Sequence, residues 1–304
     1  MTRSSDLAHR FAPVMHLHPD EPYLPMGARD FVRGSRLALI GSPEPERYGV
    51  VAVFDPATGN WDFEPPDSHY YGREVDALAG IGQAATPDDA PWNRRPFADE
   101  GPEDGNYFVL DHRSNRPTAP FDPAAPPPCY WFVQPWGDDT AISYWFFYGF
   151  SEFLPRIGHQ GDWEHVTLRI RDDTLVGALF AVHEVKYWVK PRDLELEDGR
   201  LQIFSARARH ATWWKEGDHS PGIEFFKDRE KIEAVRGLPS LRIQDVTSRG
   251  LTWDLGRRLE PLADQPWRGF GGAWGRLGRS ASTTGPLGAW QKRMLDPDEK
   301  VIQE

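Results

Sequence analysis

The densest run of chemically capable side chains is His159-Gln-Gly-Asp162-Trp-Glu164-His165, which leads directly into Val166-Thr-Leu-Arg-Ile170. Strand side chains alternate between the two faces of a sheet. An extended chain here therefore puts Asp162, Glu164, Val166, Leu168 and Ile170 on one face and Trp163, His165, Thr167 and Arg169 on the other. Two carboxyl groups then share a face with an aliphatic run, and burying them is costly unless something compensates the charge. A divalent cation, an arginine or lysine, or a bound proton would each serve. The first makes a metal centre, the second a structural pair, the third a carboxyl suited to acid/base work.

Three further places supply partners. His183-Glu184 follows the next hairpin, and folding it back sets His183 near Trp163 and Glu184 near Asp162. Ser205-Ala-Arg207-Ala-Arg209-His210 offers cations that would neutralise the carboxylates. His18-Pro-Asp20-Glu21 repeats the His-plus-acid theme, although turn chemistry around Pro19 and Pro22 is the plainer account of it. The expected catalytic groups are Asp162, Glu164 and His210. The expected ligands of one divalent metal ion are His159, Asp162, Glu164, His165 and His183. Alternation sets a limit: if Asp162 and Glu164 point inward, His165 points outward unless a bulge intervenes. The Trp213-Trp214 pair and Phe270–Trp274 suit stacking on a flat ligand, with core packing as the commoner alternative. Cys129 lies between proline and aromatic residues and reads as core.

The elements that must position these groups are strands. Cys129–Trp136 and Ala141–Phe150 flank Gly137-Asp138-Asp139-Thr140, and His165–Arg171 and Leu175–Val189 flank Asp172-Asp173-Thr174; both are hairpin patterns. Leu201–Ala206 adds a strand, and Val50–Phe54 is expected to meet Trp61–Phe63 across a turn. Leu7–Pro25 is a short helix at most, then extended chain. Thr86–Pro128 reads as long surface loops interrupted by Tyr107–Leu110. With 13 Trp, 28 Gly and 28 Pro in 304 residues, many short elements joined by turns are favoured over long helices. The expected fold is mainly β, an antiparallel β-sandwich with long Pro/Gly-rich loops and few short helices, in one domain spanning 1–304.

A net charge of -11 makes nucleic acid a poor partner. The single cysteine excludes an internal disulfide, and no stretch has the length and apolarity of a transmembrane segment. The N-terminus lacks the apolar core of a signal peptide, so the expected location is cytoplasmic. No phosphate loop, GxSxG elbow or HExxH is present.

Taken in order along the chain, several segments resemble the vacuolar protein sorting-associated protein 62 family of fungi, plants and bacteria. They are APVMHLHPDEPYLP at Ala12–Pro25, YWFFYGFSE at Tyr144–Glu152, HQGDWEHVTLRI at His159–Ile170, FSARARHATWW at Phe204–Trp214, DVTSRGLTWDL at Asp245–Leu255 and TTGPLGAW at Thr283–Trp290. The resemblance implies that His159, Asp162, Glu164, His165, His183 and His210 are recurring polar positions. The family name reflects a trafficking phenotype and carries no defined chemistry. Two functions therefore follow from the residues: a hydrolase-like enzyme, metal-dependent or acid/base, acting on an unidentified small molecule, or a non-catalytic binding or scaffold module whose polar cluster fixes the sheet.

Overall fold

The computed structural model describes residues 3–40, 53–55, 60–62, 74–77, 107–154, 157–183, 185–220, 244–276, 278, 284–295 and 301–303. The N-terminal part forms α1 (Arg3–Arg10), β1 (Val14–Leu17), α2 (Ala28–Gly34), β2 (Ser35–Ile40), β3 (Val53–Asp55), β4 (Asn60–Asp62), β5 (Glu74–Asp76) and β6 (Tyr107–His112). The central run is β7 (Cys129–Trp136), β8 (Asp139–Leu154), β9 (Ile157–Arg171), β10 (Thr174–Val182), β11 (Val185–Val189), β12 (Leu196–Glu197), β13 (Arg200–Ser205), β14 (Thr212–Trp213) and β15 (Gly217–His219). There follow β16 (Asp245–Thr247), β17 (Thr252–Asp254), β18 (Leu259–Pro261), α3 (Ala289–Lys292) and β19 (Val301–Gln303). No helix among the described residues is long and apolar enough to cross a membrane.

The mainly-β expectation holds. A seven-stranded sheet runs β18-β7-β8-β9-β10-β11-β19, and a second sheet runs β12-β13-β1-β17 with β14 against β13. One face of the large sheet, carrying Tyr144, Phe146, Tyr148, Val166, Leu168, Ile170 and Phe180, shares a core with Met15, Leu17, Ile203 and Trp253 of the second sheet. Its opposite face, carrying Tyr130, Trp145, Phe147 and Trp163, packs on α2, Leu37, Leu110 and the Trp267–Trp274 segment. The large sheet is thus buried on both sides, which explains why β8 reads as an almost unbroken aromatic run.

The centre of that sheet is antiparallel, as hairpins require, and Asp172 and Asp173 (φ 47° and 57°) make the two-residue turn between β9 and β10. Parallel pairs also occur: at the margins of this sheet β18 runs parallel to β7 and β19 to β11, and in the middle of the second sheet β1 runs parallel to β13. These pairs join segments remote in sequence, so no tight turn dictates their direction. The expected strand Leu175–Val189 is two strands. The chain turns at His183 (φ 55°), and Val182 pairs with Val185. Apolar residues continue on both sides of that turn, so composition did not mark it. The expected Val50–Phe54 strand is seen as β3 paired with β4, with 50–52 outside the described residues. Of the long-loop region, 86–106 likewise lies outside them.

Candidate functional site

β9 positions both carboxyl groups as alternation requires. Asp162 pairs directly with Tyr148 and Glu164 with Phe146, so both face the layer between the two sheets. Gly161 (φ 68°) sets up this stretch. A Cβ there would fall on the Trp274 carbonyl oxygen, so only glycine lets the C-terminal segment dock against the strand.

Asp162 is buried, and its compensating group is His210. The His210 Nδ1–H donates to Asp162 Oδ2 at 3.0 Å, and the Nε2–H donates to Glu21 Oε1 at 3.3 Å. Glu21 is itself held by backbone: its Oε2 accepts from Ala208 N at 2.8 Å and its Oε1 from Tyr23 N at 2.9 Å. The Tyr148 ring lies flat on the imidazole, with centroids 3.7 Å apart and planes 2° from parallel. Burial opposes a charge on His210, but the Glu21 charge and the Asp162 hydrogen bond overcome it and hold the imidazole's pKa at about 9. Burial likewise opposes a charge on Asp162, and the His210 hydrogen bond and the His159 charge outweigh it, so the carboxyl lies below its ordinary value. The result is a buried carboxylate–imidazolium–carboxylate chain linking the N-terminal segment, β9 and the loop before β14. Ala208 and His210 both take left-handed backbone (φ 63° each) to present it.

Glu164 is compensated differently. Among the described residues it has no hydrogen-bond or ion-pair partner. Burial first, then the charges of Asp162 and Asp245 against a smaller opposing effect of Lys292, push its pKa well above the ordinary carboxyl value. Its environment favours the neutral form, where that of Asp162 supplies a counter-ion.

Asp245 heads a neighbouring group. Its Oδ2 accepts from His183 Nε2 at 3.0 Å and from Trp213 Nε1 at 3.1 Å, and Arg209 Nη1 lies 3.5 Å from its Oδ1. Burial would raise this carboxyl, but the His183 hydrogen bond and charge and the Arg209 charge lower it.

The expected site residues are therefore divided. Asp162 and His210 are hydrogen-bonded, and Glu164 lies two residues along the same face of β9. His159 donates from Nδ1 to the Gly161 carbonyl at 2.7 Å, beside Asp162. His183 serves Asp245. His165 lies on the other face of the sheet, stacked on Trp145 with centroids 4.0 Å apart, and burial followed by the Lys186 and Lys292 charges lowers its pKa to about 3. Among the described residues no three His, Cys, Asp or Glu side chains are grouped to hold one ion, and His210 spends both ring nitrogens on carboxylates. Arg207 donates to the Asp20 carbonyl and Arg209 serves Asp245, so the imidazolium takes the neutralising role at Asp162. Glu184 lies outside the described residues. Trp213, Trp214, Phe270 and Trp274 are buried in the two cores, as is Cys129.

Two members escaped the sequence. Glu21 reads locally as turn chemistry, and its bond to Tyr23 N is of that kind, but the same carboxylate also reaches His210 across the fold. Asp245 stood in a resembling segment with no local signal of its role.

Two facing sheets with a charged cluster between them define a β protein with an inter-sheet polar centre. The sequence model of vacuolar protein sorting-associated protein 62 matches residues 130–227, which include β9, His183 and His210. The Saccharomyces cerevisiae vacuolar protein sorting-associated protein 62 is 22% identical over 302 residues, covering 87% of this chain and 58% of the yeast protein. Both matches support a likeness to the vacuolar protein sorting-associated protein 62 family, and the chain spans 58% of the length of that relative. Among solved structures it is similar to NLPPya in complex with mannosamine, with 12% identity, 88% of this chain and 78% of that one covered, and a TM-score of 0.37. It is also similar to Necrosis and Ethylene inducing Protein 2 from the causal agent of cocoa's Witches Broom disease. That likeness has 15% identity, 69% and 67% coverage, and a TM-score of 0.35.

Proposed function

We propose that the inter-sheet cluster is a hydrolytic acid/base site in which Glu164 donates a proton to the leaving group of a small-molecule substrate. The Asp162–His210–Glu21 chain is then the fixed electrostatic frame beside it. One observation carries this reading. Two carboxyl groups two residues apart on one strand are driven in opposite directions: the His210 hydrogen bond lowers the pKa of Asp162, while burial raises that of Glu164, which has no hydrogen-bond partner among the described residues. Carboxyl groups whose environments separate them in this way divide acid and base roles between them. The non-catalytic reading draws support from the saturation of Glu21, Asp162 and Asp245 by internal hydrogen bonds, the pattern of a network that fixes sheet register.

The test is a panel of 4-nitrophenyl esters, glycosides and phosphates assayed from pH 5 to 9 with the wild type and Glu164→Gln. General acid catalysis contributes roughly 100- to 10,000-fold. The expected result is turnover of at least one class, with kcat/KM at least about 100-fold lower in Glu164→Gln and the urea midpoint retained. No turnover, or equal turnover in both proteins, supports the network reading instead. The metal-dependent form of the proposal has one divalent ion displace the acidic proton from Glu164. Metal analysis before and after chelation decides it: about one removable equivalent supports an ion, and none leaves the metal-free acid. The compartment proposed is the cytoplasm.

A further inference from the structure

The C-terminal segment lies on the face of the large sheet opposite the inter-sheet layer, and it is held at both margins of that sheet. At β7, the Trp290 ring packs edge-on against Phe132 with centroids 5.7 Å apart, and the Arg293 guanidinium lies 3.7 Å over the Trp290 ring. Gln134 Nε2 donates to the Arg293 carbonyl at 3.0 Å, and the Leu295 N–H donates to Gln134 Oε1 at 3.4 Å. At the other margin β19 joins β11 in parallel, through Lys186–Val301, Tyr187–Ile302 and Trp188–Gln303. Between the two anchors lie β8, β9 and β10. One unbroken row of directly paired residues links them: Phe132, Ser143, Thr167, Leu179, Trp188 and Gln303.

Three features favour a reversible attachment. The segment is held largely by its main chain, since Gln134 bonds two backbone groups and β11 supplies a backbone ladder, the mode in which sheets take up extended peptides. β19 is also short, with three residues, and Ile302 is 44% exposed, so little apolar area opposes local opening. In the row beneath, the Ser143 and Thr167 hydroxyls satisfy each other at 2.7 Å, so lifting the segment strands neither of them. The other part of the same face, with Trp145, Phe147 and Trp163, is apolar and is closed by α2 and the Trp267–Trp274 segment.

We infer that residues 289–295 and 301–303 form a detachable strap, and that the face beneath it accepts the same segment of a second copy of this chain. The main-chain contacts are identical whichever copy supplies them, which is the condition for domain swapping. The chain's own strap competes at an effective concentration of roughly millimolar order, so exchange shows once the strap is weakened at home. The inference is independent of the chemistry at Glu164.

Ile302→Pro weakens β19 and leaves the β7 anchor intact, whereas Gln134→Ala weakens that anchor and leaves β19 intact. Mixed as full-length chains at about 0.1 mM, the two are expected to sediment as a heterodimer, and each alone as a monomer. A fluorescein-labelled peptide of residues 289–303 is expected to bind Ile302→Pro at least about tenfold more tightly than the wild type; adding Gln134→Ala should remove about tenfold, through the loss of two hydrogen bonds. Hydrogen exchange of the wild type should find the β19 amides at least about 100-fold less protected than those of β8. A monomeric mixture, a dimer of either variant alone, peptide binding that ignores Gln134, or a β19 as protected as β8 overturns the inference.

Discussion

Replacing His210 by Gln removes the cation from between two buried carboxylates and leaves Glu21 and Asp162 across a neutral amide. His210 is fully buried, so solvent screening does not dilute the effect. Its pKa rises from 6.5 in the unfolded chain to about 9 in the folded one. At about 1.4 kcal/mol per pH unit, this difference corresponds to roughly 3.5 kcal/mol of stability. The sign follows from which state holds the proton. Below pH 6.5 both states hold it and the full contribution is present. Between 6.5 and about 9 only the folded state holds it, and the contribution is lost as pH rises through that window. Urea unfolding at pH 6, 7.5 and 9 should therefore show the wild type losing about 3 kcal/mol across the series. His210→Gln should lose little over the same range and start about 3–5 kcal/mol lower at pH 6, the cost of breaking a buried charge pair. The curves should approach one another near pH 9. Both proteins carry Glu164, so the difference between them isolates the imidazole. A variant with the wild-type slope, or one as stable as the wild type at pH 6, would refute the charged triad.

Gly161→Ala should cost about 3 kcal/mol, through left-handed strain together with the clash against the Trp274 carbonyl, and should shift the tryptophan emission on folding. Equal stability would mean that the C-terminal segment does not dock there. His165→Phe should flatten the acid limb of the stability curve. The folded-state pKa of His165 is lowered to about 3, so its contribution is lost as pH falls from 6.5 toward that value. Urea midpoints at pH 4 and 7 check this, and an unchanged acid limb would place the imidazole in water.

Much of the site was legible because β9 is a strand whose alternation is strict. The facing of Asp162 and Glu164 and the opposite facing of His165 follow from period two alone. The two hairpins were legible from their turn residues, and the offset of β10 on β9 from counting back across Asp172-Asp173. What could not be read were contacts between sheets. Glu21, Asp162 and His210 sit in three remote segments, and no local spacing announces that they meet. Nor did the pattern show that the two carboxyl groups would be pushed in opposite directions, one lowered by a counter-ion and one raised by burial. The turn at His183 was hidden by strand-like apolar runs on either side of it and by a left-handed conformation on a residue that sequence rules do not reserve for it. Asp245 was hidden because its partners, His183, Arg209 and Trp213, come from three other elements.

The triad also bears on folding kinetics. Its members stand 189 and 48 residues apart, so it forms only after two long loops have closed and both sheets have found each other. Contacts of such separation slow the search for the native state. If the triad is absent from the rate-limiting barrier, its loss accelerates escape from the native state while hardly altering the rate of reaching it. The clamp at His210 then lengthens the lifetime of the assembled sheets and does nothing to hasten their assembly.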